Sequence, residues 1–133
     1  MREIKFRGKR IDNGEWIEGY YGKLSDGYNE KHYIKVQGRE FMPNRIFFIN
    51  HEVDPETVGQ YIGRNDENNK CVYSGDILKV KNIKDVTPNL VGVVKFIDCS
   101  FYIHCEFISL FRWTDYEIEV IGNVFDNPEL LEE

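Results

Sequence analysis

Apolar and polar residues alternate with a period of two along much of this 133-residue chain. That period marks strands with one face turned inward. In residues 2–7, Ile4 and Phe6 share a face and charged neighbours take the other. Asp12-Asn13-Gly14 reads as a turn, because Asn-Gly tolerates positive φ. Residues 16–24 form the returning strand, and Gly19 and Gly22 within it point to a bulge or a close backbone approach. Ser25-Asp26-Gly27 turns the chain into a third strand at 32–36. The apolar run 46–49 has the length of a short buried strand. Residues 54–58 read as a turn or one helical turn with Pro55 early in it, and 58–62 as a further strand.

The second half is punctuated more sharply. Residues 65–70 are polar and rich in Asn, the composition of a surface loop. Cys71-Val72-Tyr73 leads through the Ser74-Gly75-Asp76 turn into a strand at 77–81. A loop at 87–89 precedes a hairpin of 90–97 and 101–106, closed by Asp98-Cys99-Ser100. Residues 107–113 fit a short helix or a strand equally well. Residues 116–125 form a strand with apolar positions on both faces, which predicts burial on both sides. Asn127-Pro128 then has the letters of a cap and first residue of a short terminal helix. Many short strands with regular turn signals predict a mainly β fold with short helices. The order of strands over about 73–127 is that of a small SH3-like barrel, preceded by an N-terminal β meander.

Composition supports this reading. Tyr and Phe are abundant and Ala, the best helix former, is absent. The length suits one domain with its own core. Three cysteines and no apolar leader at the start predict a soluble cytosolic protein with reduced thiols. No apolar run is long enough for a membrane span. The net charge of −6 is unevenly spread. Residues 1–50 carry ten Lys and Arg against seven Asp and Glu, and residues 51–133 carry seven against sixteen. Opposite-signed halves favour pairing within or between copies, and they repel polyanions except where cations cluster locally.

The ordered motifs carry a family resemblance. The chain opens on Arg2-Glu3-Ile4-Lys5-Phe6-Arg7-Gly8-Lys9 and continues through Val53-Asp54-Pro55-Glu56-Thr57-Val58-Gly59-Gln60-Tyr61-Ile62-Gly63. Tyr73-Ser74-Gly75-Asp76-Ile77 follows, and the chain closes on Val120-Ile121-Gly122-Asn123-Val124-Phe125-Asp126-Asn127-Pro128-Glu129-Leu130-Leu131. In this it resembles the YopX family of phage and prophage proteins over nearly its whole length. The resemblance implies one YopX-like domain over 1–133, with an N-terminal β region at about 1–62 and a C-terminal barrel-like region at about 63–133. It implies a phage-encoded protein in the host cytoplasm and no particular reaction. The chain departs from the family pattern at 62–69 and at Ser74, where the family usually has an acid. Asn69 stands where glycine is usual, and Asn is the residue next best suited to a left-handed backbone.

Several constellations carry potential chemistry. Cys99, His104 and Cys105 offer zinc-type ligands, but adjacent positions 104 and 105 of a strand point to opposite faces. The same geometry argues against a Cys–His nucleophile pair. His51, Glu52, Asp54 and Glu56 form a carboxylate-rich cluster that suits acid–base work or magnesium, and equally a charged loop with caps. Asp76 is expected to bond its own turn and Asn127 to cap a helix. These readings assign no catalytic residue, metal site or cofactor. They describe a non-enzymatic interaction module that associates with itself and with a host or phage protein. The alternative is a small nucleic-acid-binding barrel. In it Arg2, Lys5 and Arg7 meet phosphate, while Trp16 and Tyr20, with Tyr21, Tyr28 and Tyr33 nearby, stack bases.

Overall fold

A computed structural model of the chain describes residues 3–38, 47–81, 90–97, 99–105, 109–110 and 116–131. Arg2, the loop at 87–89, and most of the ambiguous 107–113 segment lie outside the described residues. The fold is mainly β, with two antiparallel sheets and short helices of the 3-10 type. The chain divides into two compact units, Met1–Tyr61 and Ile62–Glu133.

The first unit contains β1 (Phe6–Lys9), β2 (Trp16–Ser25), β3 (Glu30–Gln37) and β4 (Phe48–Glu52), and then a 3-10 turn at Pro55–Thr57. Strand β5 (Gly59–Asn65) starts here and carries the chain into the second unit. The strands stand in the order β4-β3-β2-β1-β5. Strand β2 changes partner midway. Trp16–Gly19 pair with β1, and Tyr20–Ser25 pair with β3. The change falls at Gly19, where a Cβ would lie 2.2 Å from the Lys35 carbonyl oxygen. Gly19 is therefore the close approach expected from the sequence. Gly22 is different: a Cβ there would meet only the Lys35 Cε, at 3.5 Å.

Cross-strand partners share a face of a sheet, so the register sorts the side chains of this unit. The inner face carries Phe6, Tyr21, His32 and Ile34. The Phe6 and Tyr21 rings lie 5.5 Å apart, and Tyr21 stacks on His32 with its hydroxyl hydrogen-bonded to Nδ1. Ile34 and Val53 are fully buried, and Val53 sits where a Cβ on Gly8 would touch it at 3.1 Å. Strand β1 starts later than the alternation suggests, and Ile4 lies before it, exposed. Residues 48–49 are also exposed, although their apolar run reads as a buried strand. Among the described residues strand β4 ends the sheet, so hydrophobicity there does not mean core.

The second unit holds the remainder of β5 with β6 (Cys71–Tyr73), and a five-stranded sheet. The sheet consists of β7 (Asp76–Lys81), β8 (Leu90–Ile97), β9 (Ser100–Cys105), β10 (Ser109–Leu110) and β11 (Glu117–Asn123), in the order β10-β9-β8-β7-β11. Among the described residues this order leaves two ends, so the sheet is open rather than a closed barrel. The β8–β9 hairpin has the expected register, with Ile97 opposite Ser100 and Cys99 at φ 66° in the turn. Ile62, Val72, Leu78, Val80, Val94 and Ile103 form the apolar core, each at most 4% exposed. Strand β11 has a bulge between Val120 and Gly122, which breaks the simple two-face alternation read from its sequence. The chain then ends in a 3-10 turn, Pro128–Leu131. Asn127 supports this turn with its carbonyl, which accepts from the Leu130 amide, while its side chain turns back to accept from Asn123 N–H. A Cβ on Gly122 would lie 2.6 Å from the Asn127 Oδ1, which explains the glycine.

Candidate functional site

Two buried carboxylates of the second unit, Asp66 and Asp76, serve its turns. Asp66 is buried, and its Oδ1 accepts from the amides of Asn68 and Lys70. Its Oδ2 accepts from the Val120 amide at 2.9 Å, tying the loop to β11. Asn69 adopts φ 63°, the left-handed conformation anticipated from its sequence position. Asp76 is 1% exposed, and its Oδ2 accepts from the Tyr73 amide at 2.8 Å. Gly75 between them has φ 93° and donates its N–H to the Val94 carbonyl. Asp76 thus bonds its own turn, as expected. At the surface, Lys81 Nζ bridges Glu67 and Glu119. Hydrogen bonds to the two carboxylates raise the Lys81 pKa, and the bond to Lys81 lowers that of Glu119.

The sequence-predicted metal and nucleophile sets do not converge. Cys105 is 2% exposed in the core, and burial raises its thiol pKa. His104 beside it is exposed, opposite Val93 and Ser109, and Cys99 is exposed in the hairpin turn. His51 and Glu52 are opposite Ile34 and Tyr33, and so lie on different faces. Asp54 caps the 3-10 turn by accepting from the Glu56 amide. Among the described residues, no three His, Cys, Asp or Glu side chains come together in a way that would hold a metal ion.

The outer face of the first unit gathers a different chemistry. Register places Arg7, Lys9, Trp16, Glu18 and Tyr20 on it from β1 and β2. Strands β3 and β4 add Lys31, Tyr33, Lys35, Phe48 and Glu52. The residues nominated from sequence occupy two distinct settings on this face. Arg7 is only 9% exposed and lies 4.7 Å from the Trp16 ring centroid, with Lys9 at 5.4 Å. Lys5 lies 4.9 Å from the Tyr61 ring and pairs with Glu3. These cations and rings are engaged with each other. Tyr20, in contrast, is 60% exposed. Its ring meets Phe48 edge to face at 6.1 Å and 81°, and Phe48 is itself 50% exposed. Lys35 is directly opposite Tyr20, and its stem passes over Gly22. Beside Tyr20 runs an open groove of about 510 Å³, lined by Lys5, Glu18, Tyr20, Gln37 and their neighbours. Phe48, Lys35 and Gln37 were missed in the sequence. Only the β2–β3–β4 register brings them to Tyr20, and no local motif encodes that register.

The sequence profile described as YopX protein matches residues 5–132. The chain belongs to the YopX family. A solved structure similar to this YopX chain is the crystal structure of protein EF1440 from Enterococcus faecalis. It aligns with a TM-score of 0.61 and 23% identity, over 99% of this chain and 100% of that one. At that identity the likeness concerns the fold alone. No match of significance is found among curated proteins. Among the described residues of this YopX protein, no helix is long and apolar enough to cross a membrane.

Proposed function

We propose that this YopX protein is a non-enzymatic phage or prophage accessory protein of the host cytoplasm, an interaction module that works by surface contact. The observation that carries the reading is the exposed Tyr20–Phe48 pair on the outer face of the first unit. Large aromatic side chains left in water gain from being covered, and Tyr and Trp are enriched where proteins meet. Leu24, exposed on the same face of β2, extends the apolar area. Opposite charge in the two halves of the sequence favours self-association, with a host or phage protein as a further partner.

Light scattering on the eluting peak of a sizing column, at high protein concentration and low salt, tests the self-association. The expected result is a mass above that of one chain, falling as salt rises and falling in Tyr20→Ser/Phe48→Ser. A single-chain mass under every condition would overturn this part of the reading.

A further inference from the structure

We infer that the outer face of the first unit binds single-stranded nucleic acid, with an unpaired base stacked at Tyr20 and Phe48. The inference rests on the reading of this face as a contact surface and names its occupant. Three features of the same few residues support it.

The first is the rings. In an edge-to-face pair one ring presents its edge and so keeps its own faces free of that contact. Tyr20 and Phe48 form such a pair and remain 60% and 50% exposed. A base finds a stacking surface there whatever its identity. The second is charge. Lys35 is opposite Tyr20, and Lys31 is opposite Leu24 four residues further along β2, both exposed on the same face. They offer two ammonium groups four residues apart on β3, about 13 Å along the strand direction, within the span of a short phosphate backbone. The third is the groove. At about 510 Å³ it has the size of a nucleotide-scale site. Gln37 and Glu18 on its wall supply an amide and a carboxylate able to hydrogen-bond a base edge.

An acidic protein segment could cover the rings and meet the two lysines, but its carboxylates would be repelled by Glu18, to which a base edge can donate. Duplex DNA keeps its bases stacked away from Tyr20. Single strands alone use all three features. The net charge of −6 opposes any polyanion at long range, so binding is expected to be strongest at low salt and to weaken steeply as salt rises.

The test is fluorescence anisotropy of a labelled oligothymidylate of about 15 nucleotides, titrated with the full chain from about 20 mM salt upward, with a duplex of equal length alongside. Light scattering is run on the same samples. The account expects saturable binding that prefers the single strand. Tyr20→Ala/Phe48→Ala should weaken it roughly five- to hundred-fold, and Tyr20→Trp should retain it. Lys35→Glu should weaken it and flatten its salt dependence, whereas His104→Ala, in the second unit, should leave it unchanged. No anisotropy change at the lowest salt, or binding indifferent to Tyr20 and Phe48, overturns the inference. If the ring variants alter only the assembly mass, the surface serves a second copy: the inference falls and the interaction reading stands. If they alter neither mass nor anisotropy, both fall.

Discussion

The two units use similar residues for opposite ends. In the second unit, Ile62, Val72, Leu78 and Val80 are buried almost completely, and Asp66 and Asp76 direct their carboxylates at backbone amides. In the first, Tyr20, Leu24 and Phe48 face water beside the exposed lysines of β3. The buried carboxylates of the second unit hold its loops in place, while Cys99, His104 and Cys105, which look like candidate chemistry, do not converge. Phe48 in the first unit, part of a run that reads as a buried strand, is surface. Burial, rather than residue type, separates the groups that hold the fold from those left at the surface.

Truncating the core of the second unit should produce the largest effect. Leu78→Ala removes a fully buried side chain and is expected to cost about 2–5 kcal/mol in urea unfolding. A loss below about 1 kcal/mol would mean that this core does not carry the fold. Asp66→Ala comes next, because it removes the acceptor for the amides of Asn68, Lys70 and Val120. Losing three part-buried hydrogen bonds to a charged acceptor should cost about 2–3 kcal/mol by the same measurement.

Matched glycine substitutions sharpen the contrast between the units. A Cβ on Gly92 would lie 2.7 Å from Ile103 Cγ2 and 2.8 Å from Cys105 Sγ. Gly92→Ala should therefore destabilise by about 1–3 kcal/mol through overpacking. Gly22→Ala meets only the flexible end of Lys35 at 3.5 Å and should change stability by less than about 0.5 kcal/mol. Equal effects at both positions would erase the distinction.

The Lys81–Glu119 pair of the second unit should add a smaller, acid-dependent effect. Lys81 holds Glu119 below its ordinary value of 4.5. A carboxylate with a lowered folded-state pKa stabilises the fold above its unfolded value, and that stabilisation is lost as pH falls through the lowered value. Lys81→Met should thus differ from wild type in urea midpoint near neutrality, and the difference should shrink below about pH 4. A gap that persists at low pH would assign the effect to packing of the lysine stem.

Much of the fold was legible in the sequence because its signals are local. Asp26 and Gly27, Asn69, and Gly75 with Asp76 set turns through their own backbone preferences, and each does so in the structure. The 90–97 strand and its hairpin partner were equally plain. What depends on distant partners was not legible. Nothing near Arg7 in sequence reveals that Trp16 covers it, and nothing in the run at 46–49 reveals that β4 ends a sheet. Asn127 has the letters of a side-chain cap, yet the bulge in β11 leaves its side chain bonded backward to Asn123. The candidate surface was half visible. Tyr20 was nominated from sequence, whereas Phe48 and Lys35 join it only through strand register.

The central claim is that the Tyr20–Phe48 face exists for contact and does not hold the fold together. Urea unfolding of Tyr20→Ser/Phe48→Ser, followed by far-ultraviolet circular dichroism, tests it most directly and requires no knowledge of the partner. The account predicts a loss of no more than about 1 kcal/mol, the worth of one exposed aromatic pair. A loss above about 3 kcal/mol, the scale of a core truncation, would contradict it, because the pair would then be part of the folded unit's own support.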